Sequence, residues 1–250
     1  MINWTKDPFV SGGLVQREFS VQAKGHQVPC VLWAPINSPE NRPLVLIGHG
    51  GSQHKTAAGM VNLASFFVLN CGFCVAAIDG PIQGARRMDG LSGIEVQTEF
   101  RHMWEKDPQI DMMVRDWILT LDNLTSLIEI NQNAVAWFGV SMGTAYGLPL
   151  AASDKRIKLA VLGMWSSDFT NSQRLADDAP SVLCPVFFQM KWDDQFFSRL
   201  GQIDLFERLG CNEKWLKVYP GEHVALEGEQ LHDAQEFISS KLKIISTSTA

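Results

Sequence analysis

Residues 139–143 read Gly139-Val140-Ser141-Met142-Gly143, a serine with a glycine two places away on either side. A serine hydroxyl is a poor nucleophile at neutral pH and needs a base, usually a histidine, that is oriented in turn by a carboxylate. The glycines matter because a serine thrust out on a strained turn brings neighbouring backbone so close that side chains at either flank would clash. Alone the pattern means little, since glycine and serine are common. Its context strengthens it: the apolar run Ala134-Val135-Ala136-Trp137-Phe138 leads in, and the helix-compatible Thr144-Ala145-Tyr146-Gly147-Leu148 leads out. That is the strand, sharp turn and helix that an exposed nucleophile requires. A helix starting just after Ser141 also points its free N–H groups and positive dipole end at any oxyanion formed there.

Six histidines compete to be the base: His26, His49, His54, His102, His223 and His232. His223 has the right position, in Pro220-Gly221-Glu222-His223-Val224 directly after the last strand-like run. His26 belongs to an early hairpin, His232 lies inside the last helix, and His102 sits in a long excursion as a surface or substrate-contact residue. Three carboxylates stand at strand ends: Asp193 and Asp194 in Lys191-Trp192-Asp193-Asp194-Gln195-Phe196, and Asp168 after an earlier strand. Position alone does not choose among them. A tetrahedral oxyanion needs two N–H donors, and Leu44-Val45-Leu46-Ile47-Gly48-His49-Gly50-Gly51-Ser52 is a buried strand running into a turn whose glycines let backbone approach a ligand. The N–H groups of Gly51 and Met142 are the natural pair, with Ser52 replacing Gly51 if the loop is shifted by one residue.

These groups converge only if the elements between them bring them together. Short apolar runs bounded by Gly, Pro and Asn predict eight strands at 14–20, 30–34, 44–48, 74–78, 134–139, 159–164, 186–190 and 215–219. Helical spacing covers 56–70, 112–130, 142–153, 199–209 and 229–242. The alternation predicts a mostly parallel sheet with helices on both faces, entered through an antiparallel hairpin. Two segments break the alternation, 80–111 and 165–180, and both are long enough to fold over the carboxyl ends of the strands, where open α/β sheets bind ligands. Trp165 follows the sixth strand and Trp104 lies in the longer excursion beside Met112 and Met113. They are candidates for an apolar or aromatic pocket, with ordinary core packing as the competing role.

The chain has 250 residues, 46% hydrophobic and 19% charged, and a formal net charge of −6 from 21 Lys+Arg and 27 Asp+Glu. It carries enough apolar material for a core without disulfide or metal staples. No basic block supplies the electrostatic attraction that dominates nucleic-acid binding, so no nucleic-acid partner is expected. The N-terminus lacks both a basic n-region and an apolar h-region, and no apolar run reaches the roughly 18 residues of a membrane span. No membrane association is expected, and the location expected is cytoplasmic. The sequons at Asn3 and Asn123 then have no meaning. The five cysteines are an odd number placed mostly in strand-like segments, so they are expected to be reduced core residues. Cys71-Gly72-Phe73-Cys74 has redox spacing but ends a helix, whereas that chemistry wants its first cysteine at a helix N-terminus. No metal-ligand pattern and no phosphate-cradling loop is present, so neither metal nor organic cofactor is expected. Arg86, Arg87 and Arg101 could meet an anionic substrate, but their segment also holds Asp89, Glu95, Glu99, Glu105 and Asp107, and solvated salt bridging is the default.

With the HGG loop, Asp79-Gly80-Pro81 leading to Gly84, the GVSMG turn, Asp194 and His223 in that order, the chain from about Cys30 onward resembles the α/β-hydrolase family. It is most similar to the small dienelactone-hydrolase-like and prolyl-oligopeptidase-domain-like serine esterases with a reduced cap. With the eight strands read above, the resemblance implies an α/β-hydrolase fold with a minimal cap; the motifs, spread from 49 to 223 and converging on one sheet, give a single domain over 1–245, and the Ser/Thr-rich 246–250 is expected to be a flexible tail. It favours Asp194 as the acid, because the family's acid is followed by a polar and then two apolar residues, as in Asp194-Gln195-Phe196-Phe197. It makes His49 a structural residue holding its loop and places His54 at the pocket border. Dienelactone hydrolase itself uses cysteine where this chain has Ser141, so its substrate does not carry over. The activity implied is cleavage of a small-molecule carboxylic ester by Ser141, His223 and Asp194, with Gly51 and Met142 as oxyanion donors. Thioesterase, acyltransferase, amidase or carbon–carbon hydrolase chemistry would use the same residues. A non-catalytic ligand-binding protein on this fold is the rival outside enzymes, although a pure binder has no need of all three side chains. A homodimer is left open.

Overall fold

The computed structural model describes residues 2–36 and 41–248. Ten strands form one sheet among these residues: β1 (Ile2–Trp4), β2 (Phe9–Ser11), β3 (Leu14–Ala23), β4 (His26–Pro35), β5 (Arg42–Ile47), β6 (Cys74–Ile78), β7 (Ile130–Phe138), β8 (Ile157–Gly163), β9 (Val186–Lys191) and β10 (Lys214–Tyr219). Their spatial order is β1-β3-β4-β6-β5-β7-β8-β9-β10, with β2 also paired to β3. The expectation of eight strands is corrected to ten. The two extra strands have three residues each and are largely exposed, so neither alternation nor an apolar run marks them. The pair β3 and β4 is the expected antiparallel hairpin, with Ala23 opposite His26 across the two-residue turn Lys24-Gly25. From β6 to β10 every pairing is parallel.

The helices are α1 (Ala58–Cys71), α2 (Ile94–Lys106), α3 (Ile110–Leu124), α4 (Met142–Ser153), α5 (Gln173–Asp178), α6 (Arg199–Arg208) and α7 (Gly228–Ser248). Strand side chains alternate between two apolar cores. On β5, Leu44 and Leu46 face the core built with α3 and α4, while Val45 and Ile47 face the one built with α1 and α7. The same alternation runs along β7, where Val135 and Trp137 take the first core and Ala134, Ala136 and Phe138 the second. α7 continues through residue 248, so the helix takes in the first residues read as a tail, and Thr249 and Ala250 lie outside the described residues.

The excursion over 80–111 contains α2, and that over 165–180 contains α5. They hold each other: the Trp104 indole N–H donates to the Thr170 carbonyl at 2.7 Å, and the Asn171 amide donates to the carbonyls of Trp104 and Glu105 at 3.0 and 2.9 Å. Together they make the minimal cap. Strand β5 has β6 on one side and β7 on the other, so the chain departs in opposite directions from the sheet centre and opens a crevice at the carboxyl ends. The loops after β5, β7, β9 and β10 carry His49 to Ser52, Ser141, Asp194 and His223.

Candidate active site

Ser141 occupies the turn between β7 and α4 at φ 57° and ψ −124°, a conformation that a residue with a side chain holds only when its surroundings enforce it. Its N–H donates to the Gly163 carbonyl at 2.9 Å, tying the turn to the end of β8. The glycines are there for space. A Cβ on Gly143 would lie 2.8 Å from the Gly48 carbonyl oxygen, and one on Gly139 would lie 3.0 Å from Gly143 Cα. Thr144, buried in the first turn of α4, accepts the Gly163 N–H at 2.7 Å, and its hydroxyl lies 2.7 and 3.1 Å from the carbonyl oxygens of Gly163 and Gly139.

His223 Nε2 lies 2.9 Å from Ser141 Oγ, and Nδ1 lies 2.8 Å from Asp194 Oδ2. The other carboxylate oxygen of Asp194 accepts the N–H groups of Phe196 and Phe197 at 2.9 and 3.0 Å. An ionised carboxylate so fixed accepts from the imidazole, which puts the ring proton on Nδ1 and leaves Nε2 as an acceptor facing the Ser141 hydroxyl. The Asp194 side chain is fully buried and that of His223 nearly so. The rings of Phe196 and Phe197, each 5.3 Å from the imidazole centroid, and the Gln195 side chain, which accepts the His223 N–H at 2.8 Å, fix the histidine loop. Asp193 is exposed and closes the adjoining turn to Gly221. Asp168 accepts the Ser198 hydroxyl at the start of α6 instead of meeting His223.

Beside Ser141 runs the loop after β5. His49 is buried, and its Nε2 accepts the Gly80 N–H at 2.9 Å. Nδ1 must therefore carry the proton, which it donates to the Gly50 carbonyl at 2.9 Å. Burial pushes the His49 pKa down to about 4, so the ring is neutral at pH 7. The Gly50 carbonyl also accepts the Gln53 N–H at 3.0 Å. With that oxygen held twice, the N–H of Gly51 in the same peptide plane is fixed to the opposite side. Gln83, completely buried, donates to the Gly51 carbonyl at 3.2 Å. Among the described residues no acceptor takes the N–H groups of Gly51, Ser52 or Met142.

Two cavities meet at Ser141 and His223, which line both together with Gly51 and Gln97. The larger, about 520 Å³, runs between α1 and the loop before α7 past Met60, Leu63, Val140 and Leu226. The smaller, about 210 Å³, lies under the cap, and Trp104 and Trp165 line it with their rings 4.7 Å apart. His54 lines neither of these two cavities, and its Nδ1 accepts the N–H of Thr56 in the turn before α1. The default of solvated arginines is corrected for Arg86, whose side chain is mostly buried and pairs with buried Asp116 at 2.6 Å, where His26 adds a contact at 2.9 Å. Arg87 pairs with Asp89 and Glu99 as expected. Thr144, Gln83 and Gln195 were not marked by the sequence. Their partners are mainly backbone groups, most of them many residues away in the chain. Among the described residues no three His, Cys, Asp or Glu side chains are grouped to hold a metal ion.

No protein-family model matches the chain, and no curated protein matches it. Among solved structures it is similar to the polyethylene-glycol complex of a cold-adapted esterase from an Arctic intertidal metagenomic library, at 33% identity over 98% of both chains with a TM-score of 0.81. It is also similar to acetyl xylan esterase 1 from Thermoanaerobacterium sp., at 17% identity over 96% of this chain and 87% of that one, with a TM-score of 0.72. An S-formylglutathione hydrolase from Agrobacterium tumefaciens shares the fold at 13% identity over 98% and 99%, with a TM-score of 0.64. The sheet and its order define an α/β hydrolase. The full-length likeness at 33% identity is more specific: the chain belongs to the α/β-hydrolase esterases, as a carboxylesterase-like hydrolase.

Proposed function

We propose that the protein cleaves the carboxylic ester of a small molecule through a covalent acyl-enzyme. The observation that carries the reading is the unbroken line from Ser141 Oγ through His223 to Asp194, with hydrogen bonds of 2.9 and 2.8 Å. Ser141 Oγ attacks the ester carbonyl carbon while His223 Nε2 takes the hydroxyl proton. The carbonyl oxygen, now anionic, is received by the N–H groups of Gly51 and Met142, which have no acceptor among the described residues, and by the N-terminus of α4. Gly51 is preferred to Ser52 because its peptide plane is held by two donors. The imidazolium returns its proton to the leaving alkoxide as the carbon–oxygen bond breaks, and Asp194 stabilises the transient charge. Water then gives a proton to His223, attacks the acyl carbon and releases the acid with Ser141 restored. No metal or organic cofactor enters these steps.

The reading includes a cytoplasmic location, supported by five free cysteines, and a single domain over 1–245. No described helix is long and apolar enough to cross a membrane. Ser141→Ala is expected to lower turnover of short p-nitrophenyl esters by about 10⁴-fold or more and to abolish labelling by a fluorophosphonate. Labelling that persists in the variant would place the nucleophile elsewhere.

A further inference from the structure

The smaller cavity is walled by aromatic rings, among them Phe100, Trp104, Trp165 and Phe197, and one cation lines it, Arg101 on α2. Its guanidinium carbon lies 3.6 Å from the centroid of the Phe196 ring, so an aromatic surface covers one face of the fork. The neighbouring arginines have carboxylate partners: Arg86 has Asp116, and Arg87 has Asp89 and Glu99. Arg101 has no ion pair among the described residues. Glu105, one helical turn further on, lines the same cavity outside salt-bridge distance, and Asp194 is the charge that acts on Arg101 from across the site. Partial burial lowers the Arg101 pKa from its ordinary value, yet a guanidinium stays charged at neutral pH. Its N–H donors have no protein acceptor among the described residues and are still reached by solvent, so the fork is free to receive a ligand, and a planar carboxylate is the group whose geometry matches it.

We propose that the smaller cavity receives the half of the ester that bears a carboxylate, with Arg101 as its counter-charge and the aromatic wall packing the carbons between the carboxylate and the reacting carbonyl. The proposal rests on the esterase reading above. A cavity of about 210 Å³ equals the liquid volume of about seven water molecules, which suits a short dicarboxylic half-ester better than a long acyl chain. The larger cavity, lined by both apolar and polar side chains, then takes the other half. Because the protein is negatively charged overall, at −6, an anionic substrate needs a local cation of this kind to be accepted.

The test compares kcat/KM for two matched pairs of esters, each pair differing only by a carboxylate against an isosteric isopropyl group. On the acyl side the pair is monomethyl succinate and methyl 4-methylpentanoate, and on the alcohol side 3-acetoxypropanoate and 3-methylbutyl acetate. In Arg101→Gln the charged-to-uncharged ratio is expected to fall roughly 10- to 100-fold for one pair, and Arg101→Lys to recover part of it. Arg115→Gln, which removes an exposed charge on α3, is expected to leave the ratio unchanged within about twofold. The pair that responds identifies the half of the substrate that enters. A ratio unchanged for both pairs in Arg101→Gln overturns the proposal, as does a parallel loss on charged and uncharged esters, which would make Arg101 a residue acting on the triad. If the wild type hydrolyses none of the four esters and Ser141 takes no fluorophosphonate, the esterase reading fails as well. Labelling with an unchanged ratio removes this proposal alone.

Discussion

His49 depends on a proton that it must not gain. Neutral, it accepts from Gly80 and donates to Gly50; protonated, it would turn a donor toward the Gly80 N–H. Burial lowers its pKa from 6.5 to about 4, so between these values the unfolded chain binds a proton that the folded chain refuses. The stability it contributes is therefore complete above pH 6.5 and is lost as pH falls through 4. In His49→Gln, the fall in unfolding free energy between pH 6.5 and 4 is expected to be smaller than in the wild type by about 3 kcal/mol. Urea unfolding at pH 7, 5.5 and 4 checks this, and equal pH slopes would contradict a neutral buried ring. Ser141 and His223 were legible in the sequence because their chemistry restricts the residue type and their loops follow strand-like runs. Asp194 was not separable from Asp193 on chemistry; what distinguishes them in space is that the N–H groups of Phe196 and Phe197 fix Asp194 toward the imidazole. His54 is close to the glycine turn in sequence, while in space the chain there is already turning away into α1.

Helix α4 links Ser141 to the core. It begins at Met142, directly after Ser141, and ten of its residues are buried, so it is held from all sides rather than along one stripe. Gly147 sits against the Trp137 indole, where a Cβ would overlap the ring, and Trp137 is itself packed edge-to-face on Trp117 at 4.8 Å. Gly147→Ala is therefore expected to destabilise the fold by about 1–3 kcal/mol, although alanine is the better helix former by about 1 kcal/mol. A urea midpoint that rises instead would show that the indole can move aside at little cost. At this scale the parallel strands and the helices over 142–153 and 199–209 were readable from apolar runs and helical spacing. α2 was not, although Val96, Phe100 and Trp104 stand four residues apart on one face, because that stripe is only three residues long and is set in a charged segment that breaks the strand–helix alternation.

The whole molecule is organised by one sheet that carries an apolar core on each face, and strand residues alternate between them. Neither core can come apart without removing strands from the other. Thermal or denaturant unfolding is expected to be one transition in which far-UV circular dichroism and ester turnover are lost together. Turnover lost well before the sheet would show that the cap opens as a separate unit. The alternation of strands and helices made the layered architecture readable in advance. The contact between the two excursions was not, since it consists of side-chain bonds to backbone across more than sixty residues.

The edge-to-face pair of Trp104 and Trp165 has an optical consequence. These are two of the eight tryptophans, and both line the small cavity beside Ser141. Both rings are buried, so a molecule entering the cavity changes the packing and the electric field around indoles whose emission depends on them. The protein thus carries an intrinsic fluorophore beside Ser141, and binding can be followed by colour and intensity in the absence of turnover, without attaching a label.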